Sequence, residues 1–149
     1  MLRKDPKRCF QPVPQPAFVS TALLVLQLIA GAAFVLHGWG KIQTPFSWVP
    51  AEAPVHIPSF FQFLAAFSEF GGGIAWIIGL LTPLASFGIG CTMTVAVYMH
   101  MIVNRDPFVA KGLDASYEPA LVYLGIAILL MALGPGTFSL DAKVFGERK

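Results

Sequence analysis

A single carboxylate interrupts one of the longest apolar stretches of this chain. Between Phe60 and Leu81 the only charged residue is Glu69. A charge inside a membrane-spanning segment costs free energy, so such a residue marks a candidate functional site. Ala65 and Gly73 lie one helical turn on either side of Glu69, and small residues on that face allow close approach of a second helix. The stretch predicts a membrane helix that directs Glu69 into a bundle.

The composition indicates that the whole chain belongs in a membrane. Of its 149 residues, 56% are hydrophobic and only 12% are charged, whereas soluble domains carry roughly 25% charged residues. The formal net charge is +2 and no basic patch alternates with aromatic residues, so we expect no nucleic-acid partner. Cys9 and Cys91 form no CxxC motif, which argues against a dithiol redox site and a zinc site.

Four apolar segments are each close to the ~20 residues that a helix needs to cross the hydrocarbon core. They cover residues 17–36, 59–81, 84–103 and 117–133. Thr82-Pro83 separates the second from the third, and Gly134-Pro135-Gly136 ends the fourth. The predicted fold class is an all-α membrane protein, an antiparallel four-transmembrane-helix bundle.

The same pattern divides the chain into three parts. We expect a flexible, basic, proline-rich arm over residues 1–16, a four-helix membrane domain over 17–136 and a short interfacial or cytoplasmic tail over 137–149. The first span is longer than the ~7–15 apolar residues of a signal peptide, so we expect it to be retained. After Gly136, apolar residues recur at helical spacing among charges, which suggests a short interfacial helix.

Lysine and arginine residues predict the orientation, because cytoplasmic segments carry more of them. With a cytoplasmic N-terminus, the inner side carries Arg3, Lys4, Lys7, Arg8, Lys143, Arg148 and Lys149, and the outer side carries Lys41, Arg105 and Lys111. Both termini are therefore expected in the cytoplasm. The proline-rich loop 42–58, which contains Phe46 and Trp48, is then either an interfacial cap over the bundle or a plain surface loop.

In this topology each helix brings one ionisable residue to the outer half of the bundle, and these are His37, Glu69, His100 and Glu118. Lys41 lies one turn beyond His37, and Asn104 lies one turn beyond His100. We predict that these six residues bind a ligand and that Glu69 and His100 are catalytic. A structural alternative stays open: Lys41 and Arg105 can snorkel to headgroups, Glu118 can cap a helix and Glu69 can join helices through hydrogen bonds.

The residue types favour a quinone over other ligands for this cluster. A quinone headgroup needs hydrogen-bond donors, a protonatable group and an apolar slot for its tail, and histidine with a buried carboxylate can exchange protons. No histidine or carboxylate pair has metal-ligand spacing such as HxxxH, so we expect no metal site. Haem ligated by His37 and His100 would need facing imidazoles and a large cavity. The cofactor itself is not identified by the residues.

The order of these residues resembles a known pattern. Gly31, Phe34, His37, Gly38 and Lys41 resemble the first-helix G-x-x-F-x-x-H-G-x-x-K of the DoxX family. The similarity continues with Glu69, Gly72, Gly73, Gly79 and Thr82, then Met93 and His100, then Tyr117 and Glu118, and finally Gly134-Pro135-Gly136 and Ser139-Leu140-Asp141. It extends over about residues 22–141, which is nearly the whole membrane part.

The resemblance implies a four-helix protein of the bacterial plasma (inner) membrane that works beside redox or stress-response proteins. The expected function is an integral membrane subunit of a redox system, with other protein subunits and the lipid membrane as partners. The chain alone carries no group that transfers electrons without a bound cofactor. Two alternatives stay open: a non-catalytic membrane anchor or scaffold subunit, and a pathway for protons or small solutes.

Overall fold

The computed structural model describes residues 9–112 and 114–147, and this part of the chain is all helical. Four helices form the body: α1 (Ala17–Gln43), α2 (Ser59–Ile78), α3 (Thr82–Tyr98) and α4 (Glu118–Leu133). A π-helical turn, Met99–Val103, continues α3, and a short helix α5 (Leu140–Phe145) follows α4. The predicted all-α class is confirmed. α1 is longer than predicted, because Gly38-Trp39-Gly40 continues the helix as far as Gln43.

Length and hydropathy show which helices can cross a membrane. Three are long and apolar enough in the described residues: Ala17–Gln43, Ser59–Ile78 and the continuous helical segment Thr82–Val103. α4 is strongly apolar but has only 16 residues, which is short of the ~20 that a full span takes. The helices pack in chain order, α1 against α2, α2 against α3 and α3 against α4. The arrangement is that of a membrane helical bundle.

Aromatic side chains form the centre of the bundle. Phe34 of α1 lies between Trp76 of α2 and Tyr123 of α4, with ring centroids 5.4 and 4.9 Å apart. The indole N–H of Trp76 donates to Ser86 Oγ of α3 at 2.9 Å. A buried indole N–H without a partner would be costly, so this bond fixes the rotation of α3 against α2.

Glycines bring α1 and α2 into backbone contact. A Cβ added at Gly31 would lie 2.7 Å from the Gly73 carbonyl oxygen, and one added at Gly38 would lie 2.5 Å from the Phe70 nitrogen. Only residues without a side chain fit at such a crossing. This close contact sets the depth at which the C-terminal end of α1 meets the middle of α2.

At the other end of the bundle, the C-terminal segment closes the α2–α3 turn. Gly79 ends α2 in the left-handed conformation, with φ of 63°, and its carbonyl accepts from the Asp141 N–H at 2.8 Å. The Asp141 carboxylate accepts from the backbone N–H groups of Leu81 at 2.7 Å and Thr82 at 2.9 Å. These are orphan donors at the start of α3, so a distant residue caps this helix.

The predicted N-terminal arm is described only from Cys9 onward, and its described part contacts the C-terminal segment. Phe10 stacks on Phe145 with centroids 5.3 Å apart, and Gln11 Nε2 donates to the Phe145 carbonyl at 3.0 Å. The Val13 N–H donates to the Leu133 carbonyl at 3.4 Å. The basic residues from Arg3 to Arg8 lie outside the described residues.

Candidate functional site

Lys41 and Glu69 form an ion pair between α1 and α2. Lys41 Nζ lies 2.6 Å from Glu69 Oε1 and 2.7 Å from Oε2, so the ammonium donates to both carboxylate oxygens. The Glu69 side chain is only 3% exposed, whereas the Lys41 side chain is 28% exposed. The pair therefore has a buried acidic side and a basic side that a ligand can reach.

The local fold explains why these two residues meet. Lys41 occupies the last turn of α1, where a cation is favoured by the helix dipole. Glu69 lies midway along α2, and the glycine contact of Gly38 with Phe70 draws the two backbones together beside it. The long lysine side chain then spans the remaining distance along the apolar surface.

The loop between α1 and α2 folds over this ion pair. Lys41 Nζ lies 4.6 Å from the centroid of the Trp48 ring, a distance at which a cation–π contact is favourable. The Lys41 ammonium thus lies between a carboxylate and an aromatic face. Loop 42–58 thus contacts the ion pair through Trp48.

One buried glutamine fastens the loop to α2. The Gln62 side chain accepts from the Val49 N–H at 3.0 Å and donates to the Ile57 carbonyl at 2.8 Å. The indole N–H of Trp48 donates to the Gln62 backbone carbonyl at 2.9 Å. Phe46 also stacks on Phe63 with centroids 5.2 Å apart. These contacts determine where the Trp48 ring lies.

His100 pairs with Asp106, a residue that the sequence pattern did not indicate. Its Nδ1 lies 2.7 Å from Asp106 Oδ2, and the Asp106 N–H donates to the His100 carbonyl at 2.8 Å. The π-helical turn at Met99–Val103 and the positive φ of Arg105, 58°, bend the chain back to allow this. The side chains are 36% and 19% exposed, so this pair lies at the rim of the bundle.

The remaining predicted site residues take other positions. His37 and Asn104 are exposed, and within the described residues neither side chain has a hydrogen bond to the ion pair. Glu118 begins α4 at the edge of a 490 Å³ groove between α1 and α4, which is otherwise lined by apolar side chains and Tyr123. The structure thus joins Lys41 to Glu69 and joins His100 to Asp106. Within the described residues, neither His37 nor His100 forms a hydrogen bond or ion pair with Glu69.

Two kinds of signal could have indicated the missed residues. Gln62 is one of the few polar residues in the second apolar span, and its burial in an apolar stretch demands hydrogen-bond partners. Asp106 follows His100 by six residues at the end of a helix, but only the π-helical turn makes that spacing suitable for contact. Over residues 9–112 and 114–147, no three histidine, cysteine or acidic side chains cluster closely enough to hold a metal.

Comparison with known proteins places the chain in a family. The DoxX family pattern matches residues 22–102. The chain is 31% identical to inner membrane protein YqjF of Escherichia coli over 80% of this chain and 88% of that protein. It is 26% identical to the Bacillus subtilis protein named putative oxidoreductase CatD, over 85% and 89% of the two chains. No solved structure matches.

The matched part contains both members of the ion pair and ends just before Asp106. An uncharacterized protein of Haemophilus influenzae is similar over the same extent, with 29% identity over 83% of this chain and 90% of that protein. The resemblance inferred from the residue pattern is confirmed. The chain belongs to the DoxX family and is a helical protein of the bacterial inner membrane.

Proposed function

We propose that this protein is the membrane subunit of a redox system and that the Lys41–Glu69 pair binds the headgroup of a quinone. The observation that carries the proposal is the pair itself, a partly exposed lysine side chain beside a buried carboxylate and against the Trp48 ring. A buried ion pair contributes little net stability in general. Ligand binding or proton transfer therefore explains the presence of this pair within apolar helices better than a contribution to folding stability does.

The residues present suit such a ligand. A quinone supplies two-electron chemistry that is coupled to the uptake or release of protons. Lys41 Nζ would donate a hydrogen bond to a ring carbonyl, and a Glu69 carboxyl oxygen would hold or release a proton beside it. The Trp48 indole would contact the face of the ligand ring. The other predicted ligand residues would lie further out, at the rim of the site, and these are His37, His100, Asn104 and Glu118.

The proposed orientation follows from the lysine and arginine distribution. With both termini in the cytoplasm, the Lys41–Glu69 pair lies in the outer half of the bundle and Asp141 at the cytoplasmic end. A ligand that dissolves in lipid would reach the pair from the bilayer rather than from the cytoplasm.

The subunit would act with protein partners. The described residues contain no metal-binding cluster, and proton transfer by side chains does not move electrons. A relative of this chain is named an oxidoreductase. We therefore propose that an associated subunit supplies or accepts the electrons and that this chain binds the lipid-soluble carrier.

A scaffold role is the second candidate, and one observation favours it. Both Glu69 oxygens accept from Lys41, so the two side chains satisfy each other without a ligand and join α1 to α2. In this case the pair would be a structural link, and replacing it by apolar side chains would leave the protein working.

Quinone binding by the full chain in detergent tests the proposal. We expect a short-chain quinone to quench Trp48 fluorescence with a saturable dependence, which Trp48→Phe removes and Trp39→Phe retains. Lys41→Met and Glu69→Gln should weaken binding about tenfold or more, since each removes a group proposed to hydrogen-bond to the headgroup or exchange a proton with it. Lys111→Met, which changes an exposed loop lysine, is the matched control.

The double variant Lys41→Met with Glu69→Leu separates the two candidates. If the pair binds the ligand, the double variant folds and fails to bind. If the double variant still binds the quinone with saturation, the quinone site is refuted and the scaffold role is supported. An absence of saturable quenching in the unmodified protein would have the same consequence.

A further inference from the structure

The C-terminal segment Thr137–Phe145 is rigidly attached to the end of the bundle. Asp141 is fully buried and bonds the backbone at Gly79, Leu81 and Thr82. Ser139 Oγ donates to the Gly136 carbonyl at 2.7 Å and caps α5 by accepting from the Ala142 N–H at 3.2 Å. Because both polar side chains are committed inward, the opposite face of the segment is fixed outward.

The outward face of the segment carries apolar side chains next to a lysine. Phe138, Leu140 and Val144 are exposed, and Leu140 and Val144 lie one helical turn apart on the same side of α5. Lys143 is also exposed, and its ammonium forms no ion pair within residues 9–112 and 114–147. Exposed apolar side chains on a short polar helix are typical of a segment in the interface plane of a membrane.

A groove runs between this segment and α2. It has a volume of 310 Å³ and is lined by Ile78, Thr137, Phe138, Ser139, Leu140 and Lys143. The groove lies where α2 ends, which is where the apolar part of the bundle gives way to the polar C-terminal segment. Its walls are apolar at Ile78, Phe138 and Leu140, carry hydroxyl groups at Thr137 and Ser139, and are cationic at Lys143.

We propose that this groove binds an anionic phospholipid, with the phosphate at Lys143 and the start of an acyl chain against Ile78 and Phe138. The charge of the groove selects the lipid class. Lys143 attracts a net negative headgroup, whereas the ammonium of a zwitterionic headgroup would be repelled by it and would find Asp141 already occupied by backbone N–H groups. The site is independent of the quinone proposed for Lys41 and Glu69.

Native mass spectrometry of the full chain, released from detergent with added lipid, tests this inference. We expect one phosphatidylglycerol to stay bound more tightly than a phosphatidylcholine with the same acyl chains. Lys143→Gln should weaken phosphatidylglycerol retention about fivefold, because one lysine near an anionic headgroup contributes about that much. Lys111→Gln, at an exposed loop position, should retain it.

A second variant and a competitor complete the test. Phe138→Ser should also weaken retention, because it removes an apolar wall of the groove without changing a charge. Equal retention of both lipids, unchanged retention in Lys143→Gln, or displacement of the lipid by millimolar inorganic phosphate would each overturn the proposal. The last result would identify a site for a soluble anion instead.

Discussion

Glu69 and Asp141 are both buried carboxylates in a lipid-embedded bundle, but they are stabilised by different partners. Glu69 is 2% exposed and pairs with the ammonium of Lys41, a flexible side chain from another helix. Asp141 is 0% exposed and pairs with two backbone N–H groups at the start of α3. The first partner can move away without unfolding, whereas the second cannot.

This difference shows that burial of a charge does not by itself identify a functional site. A carboxylate that accepts only from backbone amides is part of the architecture, because those amides need an acceptor whenever the turn is formed. A carboxylate whose partner is a partly exposed lysine can exchange that partner for a ligand. On this criterion the Lys41 end of the bundle is the candidate site and the Asp141 end is a structural lock.

Asp141→Ala should give the largest effect. It leaves the N–H groups of Leu81 and Thr82 at the start of α3 without their acceptor, the second of them buried, and we expect a loss of about 3 kcal/mol in unfolding free energy. Unfolding in mixed detergent micelles, followed by circular dichroism, measures it. Asp141→Asn keeps one acceptor oxygen and should lose less. A loss below that of Lys41→Met would contradict the assignment of Asp141 as the lock.

Lys41→Met and Glu69→Leu should each cost about 2 kcal/mol, because each leaves its partner charged and unpaired in apolar surroundings. The double variant should recover most of this loss, since two apolar side chains of similar size can pack where the ion pair lay. A double-mutant cycle on the unfolding free energies measures the coupling. Strictly additive losses would mean that the two side chains do not interact in the membrane protein.

Gly73→Ala tests the pair without changing a charge. The added Cβ would lie 2.8 Å from the Gly31 carbonyl oxygen, so α1 must move away from α2, at a cost of about 1.5 kcal/mol. Quinone binding should weaken with it, because Lys41 moves with α1. Gly125→Ala is the control, since a Cβ there meets no atom within 4 Å. If both variants behave alike, the glycine contact does not position the ion pair.

Asp106→Asn should give the smallest effect, about 0.5 kcal/mol, because the partly exposed His100–Asp106 pair is screened by water. It should leave quinone binding within about twofold of the unmodified protein, since His100 and Asp106 bond to each other and, within the described residues, form no ion pair with Lys41 or Glu69. If Asp106→Asn weakened quinone binding in the fluorescence assay as much as Glu69→Gln does, His100 would be part of the proposed quinone site.

Local sequence patterns predicted the helices well and the pairing of polar residues only partly. The apolar runs and the Gly134-Pro135-Gly136 stop correspond to α2, α3 and α4 in the structure. The break between α2 and α3 lies at residues 79–81, a few residues before the predicted Thr82-Pro83, because proline fits the first turn of a helix and begins α3. Of the six predicted ligand residues, Lys41 and Glu69 form an ion pair with each other, whereas His100 pairs with Asp106. Asp106 and Gln62 were not selected, because their importance comes from the π-helical turn and the folded loop rather than from spacing.

The amino-acid sequence by itself determined that this chain is a helical membrane protein with a carboxylate inside a span, because the length and hydropathy of an apolar run are local properties. The tertiary structure alone decided that Glu69 meets Lys41 rather than His100, and that Asp141 caps α3. Such pairings depend on how each helix is rotated and how deep it lies. Backbone contacts such as that of Gly31 with Gly73 fix both quantities, and they join residues far apart in the chain.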